Sequence, residues 1–138
     1  MKLSTRARYA LRAMAEIGKE SDDDNPINLS AIAKKTDISH RYLEQVAISL
    51  KNAKLLKAVP GKHGGHMLAR TPEDISLREI VEAAIGEINV VDCVLDPDSC
   101  DKSDDCDCRD VYCLINRRIR ESLSEYNLKD LMEGRIEA

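Results

Sequence analysis

The sequence predicts a mainly α-helical chain that carries one small β-hairpin. Apolar residues recur at three- and four-residue spacing through most of its length. The 138 residues include no Phe and no Trp, so Leu, Ile, Val, Ala and Met must build the core, a set that packs helices well. Two short apolar runs flank the one glycine-rich stretch, Gly61-Lys62-His63-Gly64-Gly65. At 43% apolar and 33% charged, the composition is that of a folded domain rather than a disordered one.

The elements follow in order. Ser4 is placed to cap a first helix whose Tyr9, Ala10, Ala13, Met14 and Ile17 share one face. Gly18, the acidic run from Ser21 to Asn25 and Pro26 are expected to end it. Ser30 is expected to cap a short second helix over 31–36, with Ile32 and Ala33 inward. Asp37-Ile38 reads as a tight turn. Ser39 then caps a third helix running to about Ala53, with Leu43, Val46, Ala47 and Leu50 buried and His40, Arg41, Tyr42, Glu44, Gln45 and Ser49 outside. The runs 55–59 and 66–69 form the hairpin around the basic, glycine-rich tip. Ser76-Leu77-Arg78-Glu79 is a capping box, opening a fourth helix that stops near Gly86. Residues 92–108 read as a loop of Asp, Ser and Cys. A long helix over roughly 109–125 carries an apolar stripe of Val111, Leu114, Ile115, Ile119 and Leu123. Asn127 caps a short last helix with Leu128, Leu131 and Met132.

Charge divides the chain in two. Residues 1–70 carry 13 Lys/Arg against 7 Asp/Glu, whereas 71–138 carry 8 against 18. A basic half suits a polyanion. No apolar run is long enough to span a bilayer, and residues 1–11 lack the apolar segment of a secretory signal, so a cytoplasmic protein is expected. No nucleophile–base pairing, phosphate loop or cofactor fingerprint is present, which argues against an enzyme.

A short helix, a turn, a second helix and a glycine-tipped hairpin make the winged helix-turn-helix order. Its second helix enters the major groove of double-stranded DNA. On that reading Arg41, Tyr42, Glu44, Gln45 and Ser49 face the bases. Lys51, Lys54, Lys57 and the tip residues Gly61, Lys62 and His63 lie along the backbone. Glu44 would repel phosphate, so it is expected to accept from a base edge such as a cytosine amine.

All five cysteines, Cys93, Cys100, Cys106, Cys108 and Cys113, fall within 21 consecutive residues. An odd number cannot pair completely in disulfides, and a reducing compartment favours a metal or redox site. No CxxC pair of the kind zinc prefers occurs. Widely spaced thiolates on a loop better suit an iron–sulfur cluster, and eight Asp between 92 and 110 would make such a centre more reducing. Zinc, a disulfide switch and unliganded structural cysteines remain open. Asp101-x-Ser103-x-Asp105 hints at calcium but lacks the glycine and the distal glutamate of such a loop.

Three segments carry a family resemblance: the opening MKLSTRARYALRAM; ISHRYLEQVAISLKNAKLLKAVPGKHGGHML, with YLEQ and Gly64-Gly65 most specific; and the stretch from Cys106 to Leu131. With these the chain resembles the IscR/NsrR/CymR family of small bacterial winged-helix regulators over nearly its full length. The resemblance implies a homodimer, made by the long helix crossing its mate, that takes an imperfect palindromic operator, often as a repressor. It implies a [2Fe–2S] cluster on Cys93, Cys100 and Cys106, and iron–sulfur assembly proteins among the partners. Where well-known members place a histidine ligand three residues after the third cysteine, this chain has Arg109, which cannot ligate. Where some place an acidic ligand near position 8, it has Arg8. That leaves the fourth ligand open, with Cys108 the first candidate, Cys113 the second and a loop Asp after them. Pro60 replaces a common Arg and His66 a common Tyr, which leaves minor-groove contact to Lys62 or His63. The expected organisation is a DNA-binding winged helix-turn-helix at 1–86, a cluster-binding loop at 87–108, and a dimerisation helix with its final turn at 109–138. The alternative is a cluster-free regulator whose loop binds zinc or switches by thiol oxidation.

Overall fold

The computed structural model describes residues 1–138. Its helices are α1 (Thr5–Glu20), α2 (Leu29–Thr36), α3 (His40–Asn52), α4 (Leu77–Ile85), α5 (Asp107–Ser124) and α6 (Leu128–Met132). The strands β1 (Leu56–Val59) and β2 (Gly65–Leu68) pair antiparallel, Leu56 opposite Leu68 and Val59 opposite Gly65.

Side-chain caps set most helix starts. Ser4 Oγ accepts from Ala7 N at 3.1 Å, and Ser39 Oγ from Tyr42 N at 3.2 Å. The capping box at α4 forms: Ser76 Oγ accepts from Glu79 N at 3.1 Å, and Glu79 Oε2 accepts from Ser76 N at 2.9 Å. Burial pushes the Glu79 carboxyl up, but the Arg70 guanidinium at 2.7 Å and the Ser76 donors outweigh it and hold it below the usual carboxylate range. Asn28, not Ser30, caps α2: its side chain accepts from Ala31 N at 2.9 Å, which starts the helix two residues earlier than the serine would. The α2–α3 turn passes through Asp37 at φ 57°, a left-handed conformation that a short polar side chain tolerates.

Gly18 does not stop α1, which runs on to Glu20. Gly18 instead lies close under Met132: a Cβ there would come within 2.7 Å of its Sδ, and the flexible end of that side chain would have to shift to make room. Helix α6 thus folds back onto α1, its start tied to the head by Leu128 N to Ile75 O at 2.8 Å. Leu128 is fully buried in the same core as Met14, Ile17, Ile32, Leu43, Leu50 and Ile80. The C-terminal turn therefore belongs to the packed head, and α5 is an excursion from it. The loop before α5 is less irregular than its composition suggests: three single 3₁₀ turns, Asp92–Val94, Pro97–Ser99 and Ser103–Asp105, subdivide it. No helix is long and apolar enough to cross a membrane.

Candidate nucleic-acid interface and thiol loop

Helix α3 buries Leu43, Val46, Ala47 and Leu50 and leaves Arg41, Glu44 and Gln45 exposed on the opposite side. Glu44 lies 3.6 Å from His40 Nδ1, so a protonated His40 would compete for its carboxylate. Tyr42 is half-buried; its ring meets Tyr9 edge-on at 5.3 Å between centroids, and Arg12 lies over the Tyr9 ring at 5.4 Å. Ser49 is half-buried, and its hydroxyl accepts from Arg6 Nη2 at 2.5 Å. Arg6 Nε also donates to Ala84 O at 2.7 Å, near the C-terminus of α4 where a cation suits the helix dipole. One arginine so joins α1, α3 and α4. Sequence reasoning missed it, because an arginine on an amphipathic helix looks like solvated surface.

The wing is anchored on a backbone the sequence did not reveal. Ile27 N donates to His66 O at 2.9 Å, and His66 N donates to Ile27 O at 2.7 Å. A Cβ on Gly65 would strike the Ile27 carbonyl, and one on Gly64 the Val59 carbonyl, which accounts for the glycine pair. Gly61, at φ 105°, turns the tip and leaves Lys62 and His63 exposed. His66 Nδ1 is buried without a hydrogen-bond partner. Burial, with the Lys51 charge nearby, pushes the His66 imidazole below its ordinary value.

The cysteines occupy different surroundings. Cys93 is buried in the first 3₁₀ turn, and its carbonyl accepts from Arg109 Nε at 3.0 Å. Cys100 is exposed. Cys106 is the N-cap of α5, and Cys108 is exposed in its first turn. The Tyr112 hydroxyl is raised above its ordinary value, chiefly by the neighbouring Cys108 sulfur and more weakly by Cys106 and Cys93. Cys113 faces a separate cleft of about 350 Å³ with Arg78, Arg117 and Arg120. Soft thiol donors are the right chemistry for an iron–sulfur group. As they stand, no three Cys, His, Asp or Glu side chains converge into a ligand set. Holding a cluster therefore requires the loop to close around it. Asn116, which sequence reasoning also passed over, is buried and accepts from Val90 N at 3.0 Å, pinning the loop's start to mid-α5.

Residues 3–134 match the profile of the family Rrf2, described as "Iron-dependent Transcriptional regulator". The chain is 32% identical over 131 residues to the HTH-type transcriptional regulator CymR of Bacillus subtilis, covering 95% of this chain and 89% of that one. It is 40% identical over 92 residues to the HTH-type transcriptional regulator IscR of Cereibacter sphaeroides, covering 66% and 59% of the two chains. Among solved structures it is similar to CymR (YrzC), "the Global Cysteine Regulator of B. subtilis", with a TM-score of 0.78 at 30% identity over 97% of this chain and 98% of that one. The mainly helical winged-helix fold expected from the sequence is the fold of these regulators.

Proposed function

The chain belongs to the Rrf2 family of transcriptional regulators, and on that footing we propose that it binds operator DNA as a homodimer under control of its cysteine loop. The observation that carries this reading is a helix-turn-helix whose second helix keeps one face in the core and offers Arg41, Glu44 and Gln45 to solvent. Those side chains meet base edges. Tyr42 and Ser49, each partly engaged by the head, contribute at the rim. Lys51 and the wing residues Gly61, Lys62 and His63 follow the phosphates, so affinity falls steeply with salt.

Dimerisation is supported by α5. Val111 is 53% and Leu114 44% exposed, although both lie on an apolar stripe. Leu114, Ile115 and Ile119 line a groove of about 870 Å³ with Leu3, Val81 and Ile88. A second α5 fills such a groove and fixes the separation of the two heads.

For the sensor, the finer proposal is a [2Fe–2S] cluster held by Cys93, Cys100, Cys106 and Cys108. When bound, it supplies an oxidant-sensitive one-electron centre. The protein's part is mechanical. The Arg109–Cys93 and Asn116–Val90 hydrogen bonds transmit loop closure to the first turn and the middle of α5. The absence of a converged ligand set favours a second reading, in which the thiols act by oxidation; CymR, described as a cysteine regulator, is the relevant relative. Iron and sulfide assays with an anaerobic absorption spectrum decide between them. The cluster reading expects stoichiometric iron and sulfide, lost in Cys93→Ala. Colourless protein whose duplex affinity changes with thiol oxidation overturns it in favour of the second. Salt-independent or absent duplex binding overturns both.

A further inference from the structure

We infer that Ile48 is a specificity-determining residue of the recognition helix, reading the 5-methyl group of a thymine in the major groove. The inference rests on the DNA-binding reading above and goes beyond it. Ile48 is 54% exposed. It follows Arg41, Glu44 and Gln45 by seven, four and three residues, so all four side chains share one face of α3. That face is opposite Leu43, Val46, Ala47 and Leu50, which fill the core.

Nothing within the chain explains an isoleucine there. It belongs to neither buried cluster and is not among the apolar side chains packed against them. It is also absent from the lining of the groove proposed for dimerisation. A β-branched side chain is a poor choice for an exposed helix position, where Lys, Gln or Glu would favour the helix more. The side chains that share its face are one basic, one acidic and one amide (Arg41, Glu44 and Gln45), a mix of donors and acceptors that suits base edges better than an apolar protein or lipid surface. In the major groove, thymine offers the one methyl group among the base edges, beside the donors and acceptors that Arg41, Glu44 and Gln45 can address.

The test uses the full-length protein and duplexes it selects from a random-sequence pool. Each thymine in a selected half-site is replaced in turn by deoxyuridine, which removes only the methyl group, and affinity is read by fluorescence anisotropy. One position per half-site is expected to lose about fourfold in affinity, the equivalent of one buried methyl group. Ile48→Ala should be indifferent to that replacement and should lose the preference for thymine there, with an unchanged melting temperature. Wild-type binding insensitive to every replacement overturns the inference. So does an Ile48→Ala protein that keeps the sensitivity, or that weakens equally on all duplexes. No enrichment of any duplex overturns the DNA-binding reading and this inference with it.

Discussion

Helix α1 has 16 residues and buries five of them; α5 has 18 and buries only Asn116. Both are amphipathic, and both alternate charged residues with an apolar stripe. The difference lies in what each stripe meets. That of α1 packs against α2, α3, α4 and α6 within one chain, whereas most of that of α5 borders an open groove. Helical periodicity reports that a face will be covered and is silent about which chain covers it. A helix so weakly packed is marginal alone, and in the proposed dimer the second copy would supply the missing contacts.

Mutations can break this contrast, starting with the head. Leu50→Ala empties a fully buried site and should cost about 2–5 kcal/mol, read by chemical denaturation. Leu114→Glu should barely disturb the head, since Leu114 is exposed in one chain, yet should give monomers by sedimentation and at least about tenfold weaker duplex binding, about 1.4 kcal/mol. A dimeric Leu114→Glu protein would remove the contrast. Arg6→Ala strips two hydrogen bonds from the α1–α3–α4 junction and should destabilise by about 1–2 kcal/mol, again by denaturation. The smallest effect should come from acid. The His66 imidazole is depressed in the folded chain, so its contribution is present above the unfolded value near 6.5 and is lost as pH falls below it. Melting curves across that range should slope for the wild type and flatten for His66→Gln.

Much of the head was legible because local chemistry and global packing agree there. Ser4, Ser39, Ser76 and Asn127 each cap the helix their positions announce. The Asn28 cap was overlooked because Ser30 offers an equally good signal two residues later. Gly18 reads as a helix stop until its contact with Met132, more than a hundred residues away, is known. The Ile27–His66 pairing joins backbones, which carry no side-chain signature. At the thiol loop, the sequence supplies the donors but not their convergence. The distances among Cys93, Cys100, Cys106 and Cys108 depend on turns that spacing alone does not encode.

The double hydrogen bond between Ile27 and His66 has a practical corollary for anyone rebuilding the wing. It makes the base of the hairpin part of the scaffold and leaves only the stretch from Pro60 to His63 as replaceable tip. Longer or differently charged tips grafted there should be accepted without disturbing the rest, while even one residue inserted within β2, between His66 and Met67, would put the Ile27–His66 anchor out of register with the Leu56–Leu68 pairing and unseat the hairpin.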